Sequence, residues 1–522
     1  MKAKLLLFSL ILSINAYAGS ATWKNSPTNP DWNTAANWTP ATVPNGASDT
    51  ATFAISSKTR VSLSDNTLVN GIVFEPGASA FTITVPLDSS LEFDGVGITN
   101  NSGITQKFVI GSPGFQATIN FDNSATAGSG TGFTLTGDAG YATIYFFTSS
   151  SAGSGAFTLN GLSADTNAPL IGFFGTSTAA RGTFAVDGSA LAGKYGGDIY
   201  FSDTSTAANG TFTFNGGTAR HAYGGYTEFD TTSSAGKATL IANGGTSGGF
   251  GGSIFFESDS TGGTARLEVF DNGSLDISLH NLPGITIGSI EGNGDVFLGA
   301  NKLTVGSNNL STNFSGLIQD GGLGGGTGGS LTKIGTRKLV LTHGNTYSGG
   351  TVIEQGNLMV NNRSGSGTGS GPVQVNGGRL GGKGIIAGGV TVGTGAGSGA
   401  VLAPGYVHGF GSPGALAIQS PLTFSADATY NVDVNSSSAN ADEVIANGVT
   451  IDSGAQFSFA DLGSGTLTAG TVFTVINNTA ATPIAGTFSN LADGSTITVG
   501  SNNFQANYEG GDGNDLTLTV VP

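Results

Sequence analysis

Between residues 119 and 273 one unit recurs, and its period limits the available folds more than any other feature of the chain. The unit opens with Ile-x-Phe: Ile119-Asn120-Phe121, Ile144-Tyr145-Phe146, Ile171-Gly172-Phe173, Ile199-Tyr200-Phe201 and Ile254-Phe255-Phe256, with Thr227-Glu228-Phe229 as the one variant. Its phenylalanines stand at 121, 146, 173, 201, 229 and 256, so the successive intervals are 25, 27, 28, 28 and 27. A second apolar segment follows, headed by Phe133, Phe157, Phe184, Phe212, Leu240 and Leu267. Its offset from the first phenylalanine is 12 in the opening unit and 11 in the other five. The return to the next unit varies in length from 13 to 17. One fixed arc and one variable arc are what a solenoid shows, where stacking constrains one corner and loops bulge from another.

The apolar segments are short, rich in Phe, Ile, Val and Thr, and alternate at period two, so they read as strands. Three strands of about 4–6 residues per turn give a parallel β-helix, each rung hydrogen-bonded to the next at about 4.8 Å. A β-propeller needs blades of about 40–50 residues, longer than this period. Helix content is expected to be close to nil. Asn160-Gly161, Asp187-Gly188, Asn215-Gly216 and Asn243-Gly244 end the second segment, where glycine is expected to supply a positive φ for the corner. Asn and Thr at equivalent positions are expected to stack as side-chain ladders.

Composition narrows the function. The chain has 522 residues, 88 glycines, no cysteine, 18 basic and 34 acidic residues, and a net charge of −16. Its apolar runs exclude a disordered polyampholyte, and its acidic balance argues against nucleic acid or an anionic membrane as partner. Residues 1–18 read as a secretion signal: Lys2 and Lys4, an apolar run from Leu5 to Ile14, and Ala16-Tyr17-Ala18 for cleavage. No later stretch approaches 18 consecutive apolar residues, so no membrane-spanning helix is expected. Without cysteine the exported fold must be held by its own core.

Residues 331–360 carry a denser motif: Leu331-Thr332-Lys333-Ile334-Gly335, Leu339-Val340-Leu341-Thr342, Asn345-Thr346-Tyr347-Ser348-Gly349-Gly350-Thr351-Val352-Ile353 and Gly356-Asn357-Leu358-Met359-Val360. It resembles one copy of the autotransporter-associated β-strand repeat of bacterial autotransporter passengers, with Arg337 and Lys338 in place of small residues at one turn. Leu402-Ala403-Pro404-Gly405, Ser412-Pro413-Gly414 and Tyr508 to Leu516 are similar to the closing region of such passengers. The resemblance implies a right-handed parallel β-helix outside the cell, with an adhesive or structural role. Such proteins also use a C-terminal outer-membrane barrel, whereas the sequence here reads as passenger-like up to Pro522.

The expected organisation is all-β: a signal peptide at 1–18, an N-terminal cap and first rungs at 19–110, repeats at 111–284, the family-like repeat region at 285–400 and a closing region at 401–522. Trp23, Trp32 and Trp38 are expected to cover the open first rung, with sugar stacking as the alternative. His221, His280, His343 and His408 show no metal-ligand spacing. Gly245-Thr246-Ser247-Gly248-Gly249 fits a nucleophile elbow only if a strand-to-helix turn surrounds it. Gly510-Gly511-Asp512-Gly513-Asn514-Asp515 begins like a calcium nonapeptide but reads as a tight turn. No catalytic, cofactor-binding or metal-binding residue is assigned, and no cofactor is expected. The sequence therefore reads as a secreted, non-catalytic surface-structural or adhesive solenoid, its partners cell-surface glycans, host or neighbouring cells, or itself. The alternative is a carbohydrate-active β-helix enzyme or glycan-binding module, which needs carboxylates gathered in one groove; the densest local pair, Asp442-Glu443, has no Arg or Lys near it in sequence.

Overall fold

A computed structural model describes residues 19–111, 116–136, 140–162, 168–397, 399–405 and 413–522. The proposed signal segment and His408 lie outside them. The chain forms a parallel β-solenoid of about 16 turns, and the one helical element among the described residues is the short 3-10 turn Ala35–Asn37.

Two sheets run along the lower coil. The first stacks Gln116–Phe121, Tyr141–Phe146, Leu170–Phe173, Asp198–Phe201, Tyr226–Phe229 and Ser253–Phe256 in parallel, pairing Phe121 with Phe146, then Phe173, Phe201, Phe229 and Phe256. The second stacks Ser129–Thr136, Ser154–Asn160, Thr183–Val186, Thr211–Phe214, Thr239–Ala242 and Arg266–Val269. Equal spacing puts equal side chains above one another, so the buried rings form ladders. Neighbouring rings from Phe121 to Phe256 sit 4.6–4.9 Å apart and within 12° of parallel. A second ladder runs through Phe133, Phe157, Phe184 and Phe212 at 4.4–4.7 Å and meets the first edge-on. Each ladder begins a rung earlier than the repeat suggests, at Phe93 and Phe108. Thr227 replaces an Ile of the buried row, and its hydroxyl is satisfied by donating to Ile199 O at 2.7 Å.

The Ser/Thr-rich arc between the sheets is structural. Thr126, Ser151, Thr178, Thr206, Ser234 and Thr261 form a third, single-residue ladder. In the first five, the hydroxyl accepts the N–H two residues on, at 3.0–3.1 Å. Five left-handed residues also fall in this arc: Asn123, Thr148, Asp203, Thr231 and Ser258 have φ of 51–55°. The Asn-Gly corners do not use a positive φ, contrary to expectation. Gly161, Gly188, Gly216 and Gly244 are required because the rungs touch there: a Cβ on Gly216 would lie 2.3 Å from Gly245 N, and one on Gly188 2.4 Å from Gly216 C. The side-chain ladder is present: Asn215 donates to Asp187 at 2.8 Å and Asn243 to Asn215 at 2.9 Å.

From Gly284–Ile287 upward the single-residue corner widens into a third, eight-stranded sheet. The first sheet ends at Leu317–Gln319. Asn345 then continues that side without a strand, accepting from Ile318 N at 2.8 Å and donating to Gly367 O at 2.7 Å. Ile385–Ile386 begins the fourth sheet, which closes with antiparallel Thr496–Val499, Asn502–Gly510 and Asp515–Val521.

At the other end Trp38 pairs with Trp23 across an antiparallel bridge. All three tryptophans are buried; Trp38 meets the other two edge-on at 5.0 Å, and all three pack on Phe53. Their indole N–H groups donate to Lys58 O, Pro44 O and Trp32 O. The tryptophans cap the core, and their rings are not open to a sugar.

Candidate functional site

Alternation sends every second residue of the first sheet outward, and in the middle rungs these outward residues are unusual. One outward row reads Glu92, Asn120, Tyr145, Gly172, Tyr200, Glu228 and Phe255. Gly172 leaves a gap that neighbouring rings fill: a Cβ there would lie 2.6 Å from the Phe174 ring and 3.0 Å from Tyr145. Tyr145, Phe147, Phe174 and Tyr200 therefore join into one half-exposed aromatic platform, with successive ring centres 5.5–6.0 Å apart. The Tyr200 hydroxyl is held by Asp230 at 2.9 Å.

Carboxylates border the platform at both ends. Burial, then Asp122 and Asp94, raises the pKa of Glu92. Burial, then Asp230, raises that of Glu228, and burial, then Glu228, Asp230 and Asp276, raises that of Glu257. Asp230 is the exception, held below the usual range chiefly because Ser258 donates to it at 2.7 Å.

The next outward row places Leu170, Asp198 and Tyr226 on successive rungs. With Tyr141, Lys194 and Tyr195 they line a cleft of about 380 Å³. Tyr195 is 58% exposed and begins a second ring ladder at a loop corner, stacked on Tyr223 at 4.7 Å, which leads to Phe250 at 5.0 Å. Asp198 is the chemically distinctive group. The residue as a whole is half-buried, yet its Oδ1 is shielded from solvent and accepts no hydrogen bond. Burial, then the nearby Glu228, drives its pKa well above the carboxylate range, while the Tyr226 hydroxyl opposes the shift.

Other features fall elsewhere. A cleft of about 610 Å³ over the second sheet is lined by polar and aliphatic side chains including Arg337, Lys338 and Met359, without an aromatic ring. Gly245–Gly249 lies between Thr239–Ala242 and Ser253–Phe256 with no helix after it, so the elbow geometry is not formed. Gly510–Asp515 is the turn joining two antiparallel strands. His280 bridges rungs, its ring nitrogens 2.6 and 2.7 Å from Asn281 O and Ser260 O. His221 lies beside Phe250, and His343 acts on Asp295. No group of three or more His, Cys, Asp or Glu placed to hold a metal occurs among the described residues. Asp442 is not isolated from bases as the sequence suggests, because the fold brings Lys383 within electrostatic reach of it.

The repeat region explains its own motif. Tyr347 is fully buried and its hydroxyl meets Thr351 Oγ1 at 2.6 Å. Lys333 is buried, with its ammonium turned onto Ile334 O, Gly335 O and Gln355 O, and burial lowers its pKa to about 8. Residues 331–360 match the family model of the passenger-associated transport repeat. A β-solenoid carrying that repeat is similar in both respects to an autotransporter passenger. No curated protein matches the chain.

Proposed function

We propose that this protein is an exported, passenger-like solenoid that acts outside the cell as a non-catalytic structural and adhesive module. Its contact surface is the outer face of the first sheet between Glu92 and Glu257. The observation that carries this reading is the aromatic platform bounded by carboxylates on a rigid scaffold. The abundant Ser and Thr do not carry it, because many of their hydroxyls tie rungs together. The transport-repeat match supports export, and no helix among the described residues is long and apolar enough to cross a membrane. Protease shaving of intact producing cells, with labelled protein added to cells, tests both parts. Release by the protease and saturable binding are expected; an intracellular chain, or protein that binds neither cells nor itself, refutes them.

A carbohydrate-active enzyme is the second reading, favoured by one observation: Asp198, with its raised pKa, stands near Glu228 beside an aromatic cleft. Release of reducing ends from polysaccharide, lost in Asp198→Asn and Glu228→Gln, would establish it.

A further inference from the structure

We infer that the aromatic platform of the first sheet is a docking face for an extended, arginine-bearing segment of another protein, a ligand class that rests on the adhesive reading for its biological use. The strands place two acid-bounded rows side by side on this face. One is the row from Glu92 through Tyr145 and Tyr200 to Glu228. The other follows the buried phenylalanines and runs Asp122, Phe147, Phe174, Ser202, Asp230 and Glu257, each donating its N–H to the phenylalanine carbonyl one rung below. Both rows have rings in the middle and carboxylates at the ends, and neither holds a Lys, Arg or His. The charges acting on Glu92, Glu228 and Glu257 are other carboxylates. The negative potential of the face is thus left for a ligand to neutralise.

Rings and carboxylates together select a cation, because the face of an aromatic ring is itself negative and attracts a positive group set over it. A guanidinium suits this surface better than an ammonium: it is planar enough to stack on a ring, and its N–H fork can meet a carboxylate. Tyr200 and Asp230, joined at 2.9 Å, offer a ring and an acid at one place. At the foot of the platform Tyr145, Phe147 and Asp88 share the lining of a cleft of about 680 Å³, with room for a side chain. The alkyl stem of such a side chain covers apolar ring surface while its charge stays at the rim. Length then excludes a small ion. From the rung of Glu92 to that of Glu228 the face rises about 24 Å, at about 4.8 Å per rung. An extended chain covers that distance with about seven residues at about 3.3 Å each, and every second side chain faces the sheet. A second copy of this chain is a poorer fit, since its one adjacent basic pair outside the signal segment is Arg337-Lys338.

The test uses the full chain and a fluorescein-labelled peptide of alternating Arg and Ser, read by fluorescence anisotropy at 20 mM NaCl. The same peptide with Lys or Glu in place of Arg, spermine and a neutral glucan are the comparisons. Phe174→Ala removes a ring from the middle of the platform, and Glu228→Gln removes a charge while keeping the shape. Arg337→Ala, on the other sheet, is the control, and circular dichroism checks each fold. The Arg peptide should bind more tightly than its Lys counterpart, at least fivefold more weakly to Phe174→Ala and at least threefold more weakly to Glu228→Gln, with the control unchanged. An Arg peptide that fails to bind, affinity unchanged in Phe174→Ala, a Lys peptide or spermine bound as tightly, or displacement by glucan or the Glu peptide each overturn the proposal. Dimerisation through this face that shuts the peptide out gives the face to a second copy and overturns it too. Cell binding undiminished by excess Arg peptide overturns this ligand but leaves the adhesive reading. Peptide binding by a chain that attaches to no cell does the reverse.

Discussion

Replacing Phe201 by Ala should open the coil locally, and the structure sets the size of the effect. The ring is fully buried, stacks on Phe173 at 4.6 Å and Phe229 at 4.7 Å, and touches Phe212 edge-on at 5.8 Å. Removing a buried Phe side chain costs about 3–5 kcal/mol, and each lost ring pair contributes roughly 0.5–1.5 kcal/mol to that loss. The ladder is continuous, so the rungs on either side cannot close the cavity without leaving register. In a solenoid, stability is approximately a sum over rungs and their nearest neighbours, so the loss should remain near its source. Amide exchange followed by mass spectrometry reads this directly. Protection in Leu170–Phe173, Asp198–Phe201 and Tyr226–Phe229 should fall by roughly a thousandfold, the equivalent of about 4 kcal/mol. The Trp cap and the closing strands from Asn502 onward should change by less than about tenfold. Phe201→Leu should cost roughly 1–3 kcal/mol. An equal loss of protection along the whole chain, or less than about tenfold at the three strands, would refute the ladder as the source of local stability.

Three further outcomes follow from particular contacts. Asp442 is pushed up to about 7, first by burial and then by Asp433, against hydrogen bonds from the Gly414 and Asp433 N–H groups and the charge of Lys383. Because its folded pKa is raised, the associated stability is present in acid and lost as pH climbs from about 4 to about 7. Asp442→Asn should gain on the wild type across that window by roughly 2–4 kcal/mol in denaturant melts, and a difference independent of pH would contradict the assignment. Trp32→Ala should cost about 3–5 kcal/mol and expose the first rungs to limited proteolysis; intact early rungs would show that the ring is no cap. Gly216→Ala drives a Cβ into the backbone of the next rung and should destabilise by at least about 2 kcal/mol. Gly216→Asn should be no better, whereas at a left-handed position Asn would restore stability.

The ladders are legible in the sequence because identical rungs demand identical spacing, so register is written in the distances between phenylalanines. Their first members, Phe93 and Phe108, precede Phe121 and Phe133 by one ordinary period. They are easily overlooked because Leu91-Glu92-Phe93 lacks the opening isoleucine. The Asn-Gly corners are located correctly by sequence but not explained by it. Local sequence cannot distinguish a glycine needed for its φ from one needed for the close approach of chain a full turn away. The candidate site is least visible. Its acids belong to different rungs and meet only because those rungs stack. Yet one signal is present: two of the repeats carry Tyr at the outward middle position of Ile-x-Phe, Tyr145 and Tyr200, where solvation alone would favour a small polar residue.

The geometry also restricts how such a molecule can engage a partner. An open solenoid end presents unpaired backbone and exposed core, and would invite end-to-end association. Here the lower end is closed by the Trp23–Trp38 pair and its packing on Phe53, and the upper coil by antiparallel strands. Among the described residues the core is covered at both closures, which favours lateral contact over stacking end on end. Laterally, the first sheet brings carboxylates together on an already acidic chain, so two copies meeting through this face would bring like charges together. Self-association through it should strengthen as salt screens those charges, whereas capture of an arginine-bearing segment should weaken over the same range. Measuring both between 20 and 500 mM NaCl separates the two modes: salt-weakened retention of the Arg peptide with a monomeric chain is the expected result, and salt-driven dimerisation abolished by Tyr145→Ala would transfer the face from peptide to self.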